Sequence, residues 1–494
     1  MNFPHRPVRK PTVTTPLRIL AEQAFSRAAG APLVAGNRVR ILKDADENFP
    51  AWLETIATAR RTIFFEHYIV ADDEVGREFV AALAERARAG VRVRALYDWF
   101  GALGVGSSRL WRPLIQAGGL VRRFNPPRLD SPFGWLTRDH RKVITVDGEV
   151  GYVSGLCVSR KWVGNRARGI EPWRDTGIEV RGPAVADIEE AFAQVWAATG
   201  AALDPAELTP VAAMPVSGDV SLRVLATMPS IAGLYRLDQL IAAMATRTLW
   251  LTDPYFLGVA PYVQALRAAA LDGVDVRLLV PGSSDVPWVS HLSRAGYRLL
   301  LEAGIKVFEW NGPMVHAKTA VADARWARVG STNLNLASWI GNYELDVAIE
   351  DVPVARKMAD MYEDDLQHAT EIVLDRRSRL RAARSSKQKP RRAAGSAARA
   401  AAGALRLSHT VGAAITNRRV LGRTEAGIMA GVGAILLALT AIGIIWPLVL
   451  AAPIVVFGGW IGIALVVRAL ALYTRPRREE RGTPEATRGW DRRP

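Results

Sequence analysis

The 494 residues are 49% hydrophobic and 23% charged, which excludes a disordered chain and allows about two to four domains. The single cysteine excludes an intramolecular disulfide and a cysteine-built zinc site. The net charge of +16 lies mostly in residues 376–423, which hold fourteen Lys or Arg and no acidic residue. Because the rest of the chain is nearly neutral, a basic groove for nucleic acid is not expected.

The chain begins with a segment, residues 1–35, that contains Arg and Pro but no apolar run of signal-peptide length. We expect it to form an irregular, partly disordered extension. Two similar segments follow: RTIFFEHYIV from Arg61 matches RTLWLTDPYF from Arg247, and GVRVRALYD matches GVDVRLLVP. Short apolar runs alternate with helical periodicity in both segments, which predicts a duplicated α/β domain with halves at 36–205 and 218–375.

Each half also contains the pattern HxKxxxxD. The first copy is His140, Lys142 and Asp147, and the second is His316, Lys318 and Asp323. Either copy alone could be an ordinary strand with His and Lys at its start. Two copies in a chain with only seven His are not expected by chance.

These residue types suit phosphodiester exchange. Two Lys ammonium groups can stabilise the charge that develops on the phosphate oxygens, and a compact ammonium acts as a point charge where Arg would impose a bidentate geometry. One His can attack phosphorus while neutral, and the other can protonate the leaving alcohol. A reference pKa of about 6.5 allows both protonation states near neutral pH.

The paired motifs, the GSTN sequence after the second motif, and the acids in WRD and NYE resemble the phospholipase D superfamily, and within it bacterial cardiolipin synthases that lack N-terminal membrane helices. The resemblance covers about residues 36–370. It implies two sheets flanked by helices, a pseudo-twofold axis and an active site between the halves. It also implies a phosphohistidine on His140, acid and base work by His316, and no metal or other cofactor. The order of the two His roles is not fixed by the sequence.

The resemblance further implies that Asp175 and Glu344 orient the two histidines and that Ser331 and Asn333 bind the phosphate. The first half departs from the family pattern at Cys157, where Asn is usual. The second half departs at Asn335 and Ala337, where Asp and Arg are common. Structural roles are expected for four further residues near the predicted site: Glu66, His67, Asp253 and His291.

The C-terminal third differs in composition from the two halves. Residues 376–423 predict a basic linker, which could be a solvated tether or could lie against anionic lipid. Residues 426–467 are uncharged, with Trp446 and Pro447 at the centre, and predict a two-helix membrane hairpin within 424–470. A buried soluble hairpin is the alternative. Basic residues flank both ends, including the tail 471–494, so both ends and the catalytic halves are predicted on the cytoplasmic side of a bacterial inner membrane.

Three functions remain open at this point. The first is a membrane phosphatidyltransferase that makes cardiolipin from phosphatidylglycerol and a second phospholipid, for which phosphatidylethanolamine is one candidate. The second is a hydrolase of the same superfamily, either a phospholipase D or a nuclease. The third is a membrane tether that retains the fold without catalysis. Two complete motifs argue against the third function, and the location of the basic charge argues against a nuclease.

Overall fold

The protein is described by a computed structural model, which covers residues 16–127, 136–210, 213–285, 287–374 and 380–382, together with scattered helical positions between 434 and 470. The chain divides into two compact units. The first consists of Met1–Pro126 and Leu136–Ala430 and contains all of the sheet described below. The second consists of Pro127–Trp135 and Gly431–Pro494, and its described residues are Pro127 and helical positions in the C-terminal segment.

Strands make up the centre of the first unit. In chain order, the described strands are β1 (Val34–Lys43), β2 (Thr62–His67), β3 (Arg92–Asp98), β4 (Leu120–Phe124), β5 (Lys142–Val146), β6 (Val150–Ser154), β7 (Thr176–Arg181), β8 (Val220–Thr227), β9 (Thr248–Thr252), β10 (Asp275–Pro281), β11 (Lys306–Trp310), β12 (Thr319–Ala322), β13 (Trp326–Gly330), β14 (Glu344–Glu350), β15 (Ala369–Leu374) and β16 (Leu380–Ala382).

Helices cover both faces of these strands. The described helices are α1 (Pro16–Ala29), α2 (Asp44–Thr58), α3 (Glu74–Arg88), α4 (Arg112–Gln116), α5 (Arg160–Val163), α6 (Val185–Ala198), α7 (Gly233–Met244), α8 (Ala260–Leu271), α9 (Pro287–Leu301) and α10 (Val352–Gln367), and a π-helical turn spans Ala337–Gly341. The α/β class predicted from the sequence is confirmed.

The same strand order occurs twice. In space the described strands follow the order β16-β15-β11-β10-β9-β12-β13-β14-β8-β1-β7-β6-β5-β2-β3-β4. Reading outward from the centre, β1-β7-β6-β5-β2-β3-β4 in one half corresponds to β8-β14-β13-β12-β9-β10-β11 in the other. In each half three parallel strands lie outside the antiparallel strands of the centre. In the second half the antiparallel strands β15 and β16 extend the sheet beyond β11.

The two expected sheets are joined into one, which differs from the prediction of two separate sheets. The innermost strands, β1 and β8, pair antiparallel at Val34 with Leu222 and at Asn37 with Val220. An unpaired inner strand would expose a row of backbone donors and acceptors in each half, and this pairing covers part of that row. The register shifts between Val34 and Asn37, so the two halves are joined through an irregular ladder.

The halves also share a hydrophobic core. Side chains of α6 and α10, including Ile188 and Met358, pack in a single cluster with Val153 of β6, Val329 of β13 and Val347 of β14. These residues are almost fully buried. Because interiors are close-packed and resist displacement, this cluster fixes one half relative to the other. Residues contributed by the two halves can therefore meet with a defined geometry.

The N-terminal extension is not entirely irregular, contrary to the prediction for residues 1–35. It contains α1, which contacts α7. The Arg236 Nε donates to Ala28 O over 3.0 Å, and Ala29 and Ala31 are buried in the core of the second half. The sequence of α1 has only weak amphipathic character, so its helical state depends on tertiary packing that composition does not reveal.

The C-terminal predictions fall mostly on residues outside the described ranges. This applies to most of the basic linker 376–423, the hairpin 424–470 and the tail 471–494. Within the linker, residues Leu380–Ala382 form β16 and pair with β15. No helix among the described positions has both the length and the apolar character needed to cross a bilayer.

Candidate active site

The two motif strands place their histidines at equivalent edges of the sheet. His140 lies just before β5 and His316 lies just before β12. Both motif strands are fully buried. Each pairs antiparallel with one of the three parallel strands of its half, β5 with β2 and β12 with β9. Lys142 therefore lies opposite His67, at the carboxyl end of β2. Sites in α/β sheets commonly lie at the carboxyl ends of parallel strands. Each motif His therefore lies where such a site is expected.

Each histidine is held by a carboxylate from the other half. The His140 Nδ1 lies 2.9 Å from Glu344 Oε2, and the His316 Nδ1 lies 2.8 Å from Asp175 Oδ2. Backbone hydrogen bonds support the same crossing: His140 N donates to Tyr343 O over 2.9 Å, and His316 N donates to Arg174 O over 2.7 Å. A carboxylate on Nδ1 directs Nε2 outward for reaction, as in a catalytic triad. The sequence identified both acids but did not assign which histidine each one holds.

Burial and charge set the protonation of these pairs. Burial lowers the pKa of His140 to about 4, although Glu344 opposes the shift. Burial and the nearby Lys318 lower the pKa of His316 to about 3, and Asp175 opposes this shift. Burial alone would raise the carboxylate pKa values, but the adjacent His and Lys lower the pKa of both Asp175 and Glu344. Both histidines are therefore neutral, and both carboxylates ionised, at neutral pH before a substrate phosphate arrives.

The motif lysines lie directly beneath the histidines. Lys142 and Lys318 are almost fully buried, and each Nζ donates to the carbonyl oxygen of the histidine two residues earlier. The Lys318 Nζ also lies 2.9 Å from Nδ1 and 3.0 Å from Nε2 of His316. Burial lowers the pKa of Lys318 to about 8, so this ammonium remains mostly protonated at neutral pH. Two buried cations next to two neutral imidazoles favour an anionic ligand such as a phosphodiester.

The motif aspartates lie elsewhere, which corrects their assignment as catalytic residues. Asp147 accepts from the backbone N–H groups of residues 60–62 at 2.7–2.8 Å, and Asp323 accepts from those of residues 246–248 at 2.7–2.9 Å. Each lies at the far end of its motif strand, about 20 Å from the histidine at 3.3 Å per residue. Both have positive φ angles, 56° and 52°. They bind the backbone at the beginnings of β2 and β9 and do not reach the site.

The predicted phosphate ligands divide into two kinds. Ser331 Oγ donates to Glu344 Oε2 over 2.6 Å, so this residue positions the carboxylate, which corrects its assignment as a phosphate ligand. Asn333 lines the cavity, and its Oδ1 has no hydrogen-bond partner. Cys157, at the equivalent position in the first half, lines the cavity as well. Burial raises the pKa of the Cys157 thiol, so it remains neutral there.

The four residues for which structural roles were expected lie outside the cavity lining, as far as the structure describes them. Glu66, His67 and Asp253 are fully buried. His67 stacks on Phe65 with ring centroids 4.5 Å apart, and burial lowers its pKa to about 3. Asp253 accepts from Leu334 N over 2.7 Å. The His291 side chain lies outside the described residues.

Aromatic residues that the motifs did not single out surround the histidines. The rings of Trp162, Trp173 and Tyr255 lie 5.3, 5.8 and 5.9 Å from His316, measured between centroids. The Tyr68 ring lies 4.8 Å from His140. Trp162 Nε1 also donates to Asp175 Oδ2 over 2.8 Å. The WRD and KWV sequences contain these tryptophans, but no pattern in the sequence connects them to the second histidine.

A buried ion cluster supports the segment that carries Asp175. Arg174 Nε lies 2.8 Å from Asp365 Oδ1 of α10, and its Nη1 lies 3.2 Å from Asp44 Oδ1 at the beginning of α2. Asp44 has a positive φ of 54° and also accepts from Asp175 N over 2.8 Å. The cluster therefore connects α2 of the first half and α10 of the second half to the segment 174–175, which carries the carboxylate that holds His316. Its three members are far apart in the sequence, and only the fold brings them together.

A cavity of about 590 Å³ opens onto both histidines. Its lining includes charged, aromatic and amide side chains, namely Tyr68, Asp72, Asp73, Glu74, Arg77, Arg138, Arg160, Lys161, Trp162, Trp173, Tyr255, Asp285, Asn333, Asn335 and Asn342. Ala337 also lines it, so the position where the family commonly has Arg contributes only a methyl group. Among the described residues, no three His, Cys, Asp or Glu side chains converge as a metal site.

The sequence is similar to those of known proteins. Residues 238–366 match the family model described as "Cardiolipin synthase, PLD-like domain". The chain is 34% identical to the cardiolipin synthase of Halalkalibacterium halodurans over 362 residues, which are 70% of this chain and 69% of the relative. It is 35% identical to cardiolipin synthase A of Pseudomonas aeruginosa over 362 residues, which are 72% of each chain.

A solved structure shares the fold at low sequence identity. The crystal structure of phosphatidylserine synthase from Haemophilus influenzae superposes with a TM-score of 0.56 at 16% identity. The match covers 71% of this chain and 91% of that chain. The sheet and helix arrangement is therefore one that a solved protein also adopts.

Proposed function

Because this chain belongs to the cardiolipin synthase family of phospholipase D-like enzymes, we propose that its phosphatidyl transfer proceeds through a covalent phosphohistidine on His140. The chain is a phosphatidyltransferase that makes cardiolipin. The observation that supports the mechanism best is the crossed pairing of His140 with Glu344 and of His316 with Asp175 around one cavity. This arrangement gives one phosphate two neutral imidazoles, each held by an ionised carboxylate.

In the first step, Nε2 of neutral His140 attacks the phosphorus of phosphatidylglycerol. The P–O bond to the departing glycerol breaks as the P–N bond forms, and His316, protonated in the complex with the anionic phosphate, gives its proton to that oxygen. In the second step, neutral His316 takes the proton from the hydroxyl of a second phospholipid, whose oxygen attacks phosphorus and releases His140. Lys142 and Lys318 stabilise the charge on the non-bridging oxygens in both steps.

Accessibility supports His140 as the nucleophile. Its side chain is 11% exposed, against 5% for His316. The described hydrogen bonds of the His140 ring involve Nδ1 only, whereas Lys318 lies 3.0 Å from Nε2 of His316. An ammonium beside Nε2 hinders attack by that nitrogen. It also disfavours a proton there until a phosphate anion lies between the two groups.

The proposed function also specifies the substrates and the membrane location of the protein. Phosphatidylglycerol is the acceptor, because its headgroup glycerol supplies the attacking hydroxyl. Either phosphatidylglycerol or phosphatidylethanolamine is the phosphatidyl donor, and the leaving group is then glycerol or ethanolamine. The hairpin at 424–470 anchors the protein in a bacterial inner membrane with the catalytic halves on the cytoplasmic side. The basic linker lies against the anionic leaflet, where each cation contributes about 1 kcal/mol. No nucleic acid substrate is proposed.

The deciding experiment follows the phosphatidyl group. Purified protein is incubated with phosphatidylglycerol labelled at phosphorus, with and without phosphatidylethanolamine, and the products are separated. Labelled cardiolipin is expected, at a rate that a metal chelator does not change. After rapid quench in alkaline denaturant and digestion at alkaline pH, an acid-labile label is expected on the peptide that contains His140. A label on His316 would reverse the roles, and phosphatidic acid as the main product would indicate a hydrolase.

A further inference from the structure

The cavity mouth carries exposed apolar side chains that the chemistry does not use. Six large apolar residues, each 38–53% exposed, form what we call the mouth patch: Leu103, Leu136, Val163, Ile170, Ile231 and Ile340. Leu136 itself lines the cavity. Leu103 and Val163 lie within two residues of the lining residues Val105 and Trp162, and Ile340 lies between Ser338 and Asn342. Large apolar residues gathered at one opening indicate a contact surface.

Backbone contacts hold other members of the mouth patch close to these residues. Asn165 and Ile170 exchange two backbone hydrogen bonds, at 2.7 and 2.9 Å, which closes the loop that follows Trp162. Ser230 N donates to Ile340 O over 3.0 Å, so the adjacent Ile231 lies beside the π-helical turn. The mouth patch therefore draws on several loops that surround one opening.

Positive charge accompanies the apolar residues. Residues 159–171, which we call the mouth loop, contain four basic residues and one acidic residue. The Arg160 side chain is 59% exposed and lies 3.7 Å from Glu74 Oε1. Arg77, which also lines the cavity, is 66% exposed and lies 2.9 Å from Asp72 Oδ1. The excess of positive charge therefore comes from the other basic residues of the mouth loop. Apolar side chains next to exposed cations are typical of surfaces that lie in the interface of an anionic membrane.

We propose that the mouth patch and the mouth loop dock the catalytic halves directly onto an anionic phospholipid monolayer. The cavity then opens against the lipid headgroups, and a phosphodiester reaches His140 while its acyl chains remain in the membrane. This contact is separate from the predicted hairpin and basic linker. The inference rests on the proposed function in one respect, namely that the substrate is a membrane lipid.

The opposite edge of the sheet provides a matched control. Leu120, at the beginning of β4, is 49% exposed, and Leu271, at the end of α8 just before β10, is 71% exposed. Both lie at the amino ends of parallel strands, whereas the cavity lies at the carboxyl ends. They are equally apolar and on average more exposed than Val163 and Ile170, which are 38% and 53% exposed, but they do not border the cavity.

The test compares two double variants of the full chain, Val163→Asp/Ile170→Asp and Leu120→Asp/Leu271→Asp. Each is reconstituted into phosphatidylglycerol vesicles, and cardiolipin formation is measured. Each is then assayed on monomeric short-chain phosphatidylglycerol below its micelle concentration. We expect the mouth variant to lose about 10-fold or more on vesicles and less than about 2-fold on monomers, and the control variant to change less than about 2-fold on both. Equal activity of the mouth variant and the wild type on vesicles, or an equal loss on both substrates, overturns the proposal.

A second measurement separates this inference from the proposed function. Hydrogen exchange of the wild-type mouth loop is compared in phosphatidylglycerol and phosphatidylcholine vesicles, with the α8–β10 segment as the internal reference. Protection of the mouth loop in the anionic vesicles alone supports docking, even if the protein fails to make cardiolipin and the proposed function falls. Absence of protection, or equal protection in neutral vesicles, overturns docking even if cardiolipin is formed.

Discussion

The two histidine sites perform equivalent tasks with different supporting residues. At His140, the carboxylate of Glu344 accepts from the Ser331 hydroxyl over 2.6 Å. At His316, the carboxylate of Asp175 accepts from the Trp162 indole over 2.8 Å. At the position equivalent to Ser331, the first half has Gly155, where an added Cβ would lie 2.2 Å from Asp175 Oδ1.

The position of the Asp175 carboxylate excludes a serine in the first half. The carboxylate lies so close to the backbone at residue 155 that only glycine leaves room there. The donor must then come from elsewhere, and Trp162 supplies it from the mouth loop. The repeat fixes the position of each carboxylate, whereas the donor that holds it differs between the halves.

The largest expected effect tests whether the two histidines have different roles. His140→Ala should lower the transfer rate by at least about 10⁴-fold, because no other nucleophile lies at that position. His316→Ala should cost about 10²- to 10⁴-fold, the range for loss of a general acid and base. His368→Ala, an exposed histidine on the surface, should leave the rate unchanged and serves as the control.

Initial rates on phosphatidylglycerol, with melting curves to verify folding, measure these effects. A His140→Ala protein that melts normally and retains more than about one tenth of the wild-type rate would falsify the phosphohistidine mechanism. A larger loss for His316→Ala than for His140→Ala would instead exchange the two roles.

The next effect tests whether both carboxylates are needed to the same degree. Glu344→Gln and Asp175→Asn keep the size of each side chain but remove the charge that orients and stabilises the imidazole. Each should lower kcat by about 10³- to 10⁴-fold, comparable to the loss of the aspartate from a triad. Rates are measured at saturating substrate, where KM effects are absent. If one variant is nearly as active as the wild type, that histidine is oriented by its backbone contacts alone.

Much of this architecture is predictable from the sequence. The motif strands are fully buried and therefore apolar, and the residue types of the motif are specific enough to identify it. The α/β class follows from the alternation of apolar runs and helical periodicity, and the membership in a phospholipase D-like family follows from the paired motifs; both are confirmed. The roles of Asp147 and Asp323 are not predictable this way, because a motif gives spacing and not direction. A strand of five residues carries its last residue far from its first, so residues in one motif need not share one site.

The pairing of each histidine with a carboxylate of the other half is also not predictable from the sequence. It requires the halves to face each other, and that arrangement arises from the shared core and the β1–β8 pairing rather than from any local pattern. Arg174 illustrates the same limit, since its partners Asp44 and Asp365 come from elements more than a hundred residues away in either direction.

A smaller effect concerns the free energy of unfolding. It tests the buried ion cluster that supports Asp175 and does not involve Glu344. Asp365→Asn removes a buried charge partner of Arg174 and should lower the free energy of unfolding by about 3 kcal/mol, because it leaves a buried guanidinium less well compensated. The matched control is Glu302→Gln, which breaks the exposed pair with Arg298 and should cost less than about 0.5 kcal/mol. Denaturant unfolding curves measure both values. Equal stability of the two variants would show that Asp44 alone compensates Arg174.

The smallest expected effect tests the donors themselves. Ser331→Ala removes the donor to Glu344, and Trp162→Phe removes the donor to Asp175 while keeping an aromatic ring. Each should lower kcat about 10-fold, since a hydrogen bond to a charged group contributes about 1.5 kcal/mol. Trp173→Phe is the control, because this ring also lies near His316 while the described bonds to Asp175 come from other groups.

The pH profile distinguishes a positioning role from a packing role. A donor to a carboxylate stabilises its ionised form and lowers its pKa, and Ser331 and Trp162 act in this way on Glu344 and Asp175. The ionised form is present above the folded pKa and is lost as the pH falls through it. Removing the donor raises that pKa, so the acidic limb of kcat should move to higher pH in Ser331→Ala and Trp162→Phe but not in Trp173→Phe. An acidic limb that stays in place in both donor variants would mean that the hydroxyl and the indole only fill space, and that the two halves differ in packing rather than in how they hold their carboxylates.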